Sequence, residues 1–168
     1  MKKVITFKNG EKHILHSSNK GNVLVFNNPI NTSIEFGENN NWEKSSLKKW
    51  LENWWEENAP DDLKEAYNIT IPSLANIYSE DELKHYDWVY QSAKVDLDKG
   101  EKQWDYFKNP RNRVAFVKDK EYMGSVWYWT KTANRGDAYY VYYVEPTGAY
   151  INNCANFSFA VVPACVKK

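Results

Sequence analysis

The sequence predicts an α+β domain, and three observations predict it. Short runs rich in β-branched and aromatic residues occupy both ends of the chain, and a stretch of helical periodicity lies between them. No internal repeat or low-complexity linker divides the 168 residues, a length suited to one core. The expectation is a single domain over residues 1–168 with paired N- and C-terminal strands, two main helices packed on the sheet, and long loops between about residues 92 and 137.

The elements follow from local patterns. Val4 to Phe7, Lys12 to Leu15 and Asn22 to Phe26 read as short strands around an Asn9-Gly10 turn and a Ser/Asn/Gly loop, which makes an N-terminal β-meander. The period then changes. Leu47, Trp50, Leu51 and Trp54 recur at i, i+3, i+4 and i+7, with Lys48, Lys49, Glu52 and Asn53 on the other side, behind an Asn39-Asn40-Asn41 capping region. This spacing predicts a helix that buries Trp50 and Trp54 and leaves Trp55 off the stripe. Pro60 opens a second short helix, with Asp61 and Asp62 in the favourable first turn and Leu63, Ala66 and Tyr67 inward. Ile69-Thr70-Ile71-Pro72 is extended, and Ser79-Glu80-Asp81-Glu82 has the form of a capping box that starts a third short helix.

From residue 92 to 124 the periodicity is poor. Turns at Asp98-Lys99-Gly100 and Asn109-Pro110-Arg111 predict loops with one short helix around Gln103 to Phe107. Strands return at Ser125 to Lys131, Ala138 to Val144, Ala149 to Asn153 and Phe157 to Val166. Pro146-Thr147-Gly148 is the hairpin turn between the middle pair.

Composition narrows the partners. The 22 Lys and Arg cancel the 22 Asp and Glu, so there is neither the counterion-release drive of a nucleic-acid binder nor a polybasic patch for an anionic membrane. No apolar run reaches signal-peptide or membrane-span length, so neither secretion by a signal of its own nor membrane insertion is expected, and the default location is cytoplasmic. Aromatic residues make up 16% of the chain against a mean hydropathy of −0.75. The core must therefore be built largely from rings, and some rings are left for a binding surface.

The C-terminal half carries Tyr128-Trp129-Thr130-Lys131-Thr132, then Asp137-Ala138-Tyr139-Tyr140-Val141, a Gly148 turn, an Asn-rich stretch and a closing Ala160-Val161-Val162-Pro163-Ala164. Earlier come Asn41-Trp42-Glu43-Lys44-Ser45-Ser46-Leu47 running on to Leu51, and Ile71-Pro72-Ser73. In order and spacing these resemble a C-type-lectin-like domain family of unassigned function from Gram-positive bacterial surface proteins and their phages. Its fold relatives are the formylglycine-generating enzyme group and the retroelement-diversified phage receptor-binding proteins. The likeness runs from about residue 36 to the end. Two departures stand out: Val162 occupies the place where the family usually has Arg, and Thr130-Lys131 replaces Leu-Arg. If that Arg closes a buried polar network, the network here is absent or rebuilt.

The resemblance implies a C-type-lectin-like fold and a non-enzymatic binding module on a virion or bacterial cell surface, part of a larger assembly that recognises a glycan or protein receptor. A structural or assembly subunit, a homo-oligomer with its rings buried between copies, is the alternative. A third reading is an oxidase like the formylglycine-generating enzymes, but Cys154 and Cys165 do not match the close Cys pair of that group.

Alternation along a strand points one of Tyr128 and Trp129 to the core and offers the other as a platform. Tyr150, Asn152, Asn153, Asn156 and Phe157 combine rings with amides that both donate and accept, and Asn134 and Arg135 lie in the preceding loop. These are the candidate ligand-binding residues. No catalytic residue, metal site or cofactor is expected. His13, His16 and His85 are scattered, Asp96-Leu97-Asp98-Lys99-Gly100 lacks the remaining ligands of a calcium loop, and Glu145-Pro146-Thr147 has no Asn-Asp partner on the next strand. No nucleophile elbow, phosphate loop, dinucleotide fingerprint or His-Glu-x-x-His occurs. The two Cys are expected as free thiols.

Overall fold

In the computed structural model, which describes residues 1–118 and 123–168, the N-terminal meander forms as the alternation predicts. β1 (Lys2–Thr6), β2 (Lys12–Ser18) and β3 (Val23–Phe26) pair antiparallel, with Gly10 at a φ of 85° in the first turn. That left-handed conformation suits glycine because no Cβ meets the backbone. β12 (Ala164–Lys167) pairs with β3 on one side and with β5 (Tyr67–Thr70) on the other. The two ends of the chain thus share one sheet, in the order β1-β2-β3-β12-β5.

A second sheet holds β4 (Asn31–Glu35), β8 (Tyr128–Ala133), β9 (Tyr140–Val144), β10 (Tyr150–Cys154) and β11 (Ser158–Val161), in the order β10-β9-β8-β11-β4. Only the β8 to β11 pairing is parallel. The closing strand expected over residues 157 to 166 is therefore two strands in two sheets, joined by Val162-Pro163. Pro163 has no N–H to give a ladder, and the break falls there. β6 (Ala115–Lys118) and β7 (Met123–Val126) form a separate ribbon; β6 and the start of β7 fall where the sequence predicts loop, and Ser125 and Val126 where it predicts strand. Residues 119–122 of the expected loop region lie outside the described residues.

Helix α1 (Ser46–Asn58) begins later than the Asn run suggests. Asn41 caps a 3-10 turn over Trp42–Lys44, and the Ser45 hydroxyl caps α1 by accepting the Lys48 N–H at 3.0 Å. Its buried line is Leu47, Leu51 and Trp55, spaced by four, whereas Trp50 and Trp54, expected in the core, are half-buried on its flank. The helix lies across both sheets. Leu47 and Leu51 pack with Trp129 and Val161 of the second, and Trp55 packs with Phe7, Leu24 and Phe26 of the first. α2 (Asp61–Ala66) follows Pro60 as expected.

Capping boxes start α3 (Leu74–Ile77), through Ser73 and Asn76, and α4 (Glu80–Leu83), through Ser79 and Glu82. α5 (Asp87–Asp98) runs through residues expected as loop. Its buried positions Val89, Ser92, Ala93 and Asp96 have helical spacing, but two of the four are polar, so hydropathy alone hides the period. Asp105–Lys108 makes the short 3-10 helix expected near residue 105, and Pro110–Arg113 makes another.

β8 lies inside its sheet with both faces covered. Tyr128 enters the cluster of Leu74, Ile77, Val89 and Ala93 from α3 and α5, while Trp129 enters the one containing Phe36, Leu47 and Leu51. The expectation that one of the two faces solvent is overturned: alternation does send them to opposite faces, but helices cover both.

The buried guanidinium of this molecule is Arg113, and Val162 is an apolar core residue. Arg113 donates from Nη1 and Nη2 to the two Glu82 carboxylate oxygens at 2.7 and 3.1 Å, and from Nε to the Phe107 carbonyl at 3.2 Å. It also stacks 4.7 Å from the centre of the Tyr78 ring. Glu82 therefore completes a helix cap and a bidentate ion pair at once.

Candidate functional site

Exposed rings gather on one face of the second sheet. Phe159 on β11 is the hub, with the rings of Tyr143 and Trp129 4.5 and 4.6 Å away and those of Trp127 and Phe157 each at 6.4 Å. Trp127 is 49% exposed, Phe157 51%, and Ile151, opposite Tyr143 in the β10 to β9 ladder, 42%. The two-residue period of strands puts Trp127 on the face of Trp129 and Phe157 on the face of Phe159. Phe36, Leu47 and Leu51 cover that face over Trp129 and Val161; Trp127, Phe157 and Ile151 project beyond the cover.

The rim is polar, with amides and hydroxyls around the rings and Glu145 near Tyr143. Asn153 shares the face of Ile151 and accepts the Cys154 N–H at 2.8 Å through Oδ1, which leaves its amide N–H groups free to donate, and Asn156 and Ser158 flank Phe157 in the exposed turn. Burial first, and then the charge of Glu145, pushes the Tyr143 hydroxyl above its ordinary range, so it stays a neutral donor at physiological pH. Flat rings beside neutral amides and hydroxyls can stack a sugar ring and hydrogen-bond its edge.

Of the candidate residues, Asn153, Asn156 and Phe157 meet at this face. Tyr128 and Trp129 do not, being buried; the Tyr128 hydroxyl donates to the Arg113 carbonyl at 2.8 Å and the Trp129 indole N–H to the Ile34 carbonyl at 2.9 Å. Tyr150 and Asn152 point to the opposite face of the sheet, where Tyr150 meets Tyr78 edge-on at 4.6 Å and donates to the Glu82 carbonyl at 3.3 Å.

Asn134 and Arg135 form the β8 to β9 turn. The Asn40 amide clamps that turn by donating to the carbonyls of Asn134, Asp137 and Tyr140 at 2.9, 2.9 and 3.1 Å. Trp127 and Phe159 were not among the candidates. The signal for both was parity: each lies two residues from a ring already singled out, Trp129 and Phe157.

Cys154 sits half-buried on β10 and Cys165 is buried on β12 in the other sheet, and both are free thiols as expected. Burial pushes the Cys165 thiol well above its ordinary range, so it keeps its proton and is a poor ligand or nucleophile. Among the described residues no group of three or more His, Cys, Asp or Glu could hold a metal ion, and no helix is long and apolar enough to cross a membrane.

Two five-stranded sheets, crossed by a helix and carrying an exposed ring face, define an α+β domain. The chain belongs to the DUF6273 family, described as a domain of unknown function, whose model matches residues 20–167. The match begins after β2, so the β1 to β2 hairpin lies outside it. No curated protein and no solved structure matches the chain.

Proposed function

We propose that this chain is a C-type-lectin-like, non-enzymatic binding module that takes a carbohydrate on the ring face of its second sheet, at a virion or bacterial cell surface and as part of a larger assembly. The ring cluster around Phe159, open at Trp127 and Phe157, is the observation that carries the reading. The order of the C-terminal motifs, the pairing of β12 with β3 and the two long helices support the lectin-like assignment. The balance of charge favours a neutral ligand held by stacking and amide hydrogen bonds.

A glycan array on the purified protein, repeated with Trp127→Ala combined with Phe157→Ala, tests this. The double variant is expected to weaken glycan binding about tenfold or more. Both side chains are half in solvent already, so stability should change by no more than about 1 kcal/mol. Binding that survives the double variant would overturn the reading.

One observation favours the assembly alternative: β10 is an edge strand, Tyr-Ile-Asn-Asn-Cys, without the charge that normally guards such an edge. Light scattering after size exclusion separates the two readings. A monomer supports the receptor module, and a stable oligomer that buries Ile151 and Phe157 supports assembly.

A further inference from the structure

A cleft of about 410 Å³ lies between the Asn40–Glu43 segment, α5 and the end of β8, away from the ring face. At its wall is Asp96, only 9% exposed. Its Oδ2 accepts the Thr132 hydroxyl at 2.8 Å, and the Thr132 oxygen itself accepts the Leu74 N–H at 2.9 Å. Thr132 is thereby fixed as a donor to Asp96. Among the described residues Oδ1 of Asp96 takes no hydrogen bond, and it is reached from the cleft. An acceptor that solvent reaches in a concave wall is satisfied by water as it stands, and a ligand hydroxyl that displaces that water can donate to it in its place.

The other charges define which donor. Glu101 is matched by Lys131, its Oε1 lying 2.6 Å from the ammonium, and its second oxygen accepts the Ser73 hydroxyl. Arg135 donates from Nη1 to the Gln91 carbonyl at 3.3 Å, and Lys99 and Glu43 stand at the rim. Three carboxylates repel an anion and three cations repel a cation, so no net field selects an ion. Trp42 brings a half-buried indole and Asn41 an amide to the lining of the same cleft. A neutral molecule with hydroxyl donors and a face to lay on an indole satisfies all of these groups.

We propose that this cleft is a second ligand site, for a small neutral polyol or monosaccharide whose hydroxyl donates to Oδ1 of Asp96. The site is independent of the ring face and goes beyond it, since Trp127, Phe157 and Phe159 take no part.

One consequence is a dependence on pH. Burial, and after it the charge of Glu101, raises the Asp96 carboxyl to about 6, against the opposing pull of Thr132, Lys131 and Lys99. Protonation puts a hydrogen on Oδ1 and turns the acceptor into a donor, so binding weakens as pH falls through about 6. The groups facing Asp96 are Glu101 and Lys99 beyond the end of α5, Lys131 on β8, Arg135 in the turn and Glu43 across the cleft. Folding gives the opposite sign. A raised carboxyl contributes stability that is present in acid and lost as pH rises through about 6, so Asp96→Asn should melt no lower than the parent at neutral pH.

Titration of isotope-labelled full-length protein with glucose, galactose, N-acetylglucosamine and sorbitol, followed by amide and indole shifts in NMR spectra, is the test. The expected result is saturable shifts at Trp42, Asp96, Lys131 and Arg135 for at least one compound. Asp96→Asn, which turns an N–H toward the cleft, should weaken that binding about tenfold without lowering the melting temperature. Trp127→Ala with Phe157→Ala should leave it unchanged. The absence of saturable shifts with every compound, or equal binding by Asp96→Asn, would overturn the proposal. Loss of binding in the ring-face double variant would also overturn it, because it would make one site of the two.

Discussion

Trp129→Ala is expected to remove about 3–5 kcal/mol of stability, the range for deleting a large buried aromatic side chain. Trp129 is fully buried, its ring packs at 5.6 Å against Phe36 and at 4.6 Å against Phe159, and its indole N–H satisfies the Ile34 carbonyl on β4. Deletion opens a cavity under α1 and leaves that carbonyl without its side-chain donor. With typical domains stable by only about 5–15 kcal/mol, the variant should be largely unfolded at modest urea concentrations. Trp129→Phe restores most of the volume and loses only the N–H, so it should cost about 1–2 kcal/mol. Trp127→Ala, two residues away on the same face but half in solvent, should cost less than about 1 kcal/mol. Urea titrations of the three variants check this, and equal losses from Trp127 and Trp129 would contradict the placement of the ring face.

Glu82→Ala is expected to cost about 2–4 kcal/mol, because removing one partner of a buried pair strands the other. The stranded group is the Arg113 guanidinium, which keeps only the Phe107 carbonyl and the Tyr78 ring. The Glu82 side chain is itself partly exposed, which holds the figure below the top of the range for fully buried pairs. The same change removes one half of the α4 capping box, since the Glu82 side chain accepts the Ser79 N–H at 2.8 Å, while the Ser79 hydroxyl keeps its bond from the residue 82 N–H. Burial pushes the Glu82 carboxyl up, but the Arg113 hydrogen bonds and the Ser79 donors outweigh it and hold the group below 4.5. A lowered folded value gives stability that is complete above the ordinary carboxylate range and is lost as pH falls through the folded one. Thermal melts from neutral pH into acid should therefore show a loss in the parent that Glu82→Gln lacks. Parallel curves for the two proteins would remove the pair from the account of stability.

What was legible in the chain was whatever rests on neighbours in sequence. The Asn9-Gly10 and Pro146-Thr147-Gly148 turns, the start of α2 at Pro60 and the Ser79 to Glu82 cap depend on backbone preferences spanning a few residues. α5 was hidden because its inner face includes Ser92 and Asp96, whose partners Tyr142 and Thr132 arrive from strands 50 and 36 residues away in the chain. The ring face was half legible. Phe157 and its Asn neighbours were singled out by composition, whereas Tyr128 and Trp129 were misplaced because alternation gives the side of a strand and not what covers it.

The sequence by itself determined that the chain builds an α+β domain from paired terminal strands and central helices, that rings supply much of its interior, and that its positive and negative charges balance. Only the tertiary structure decided which rings are interior. Trp127 and Trp129 are the same residue on the same face of neighbouring positions, and α1 ends its cover between them. A helix fixes its own direction locally, but where it comes to rest on a sheet depends on Leu47, Leu51 and Trp55 meeting residues far along the chain as well as the strands before them, and that packing leaves one tryptophan in the core and the other half in water.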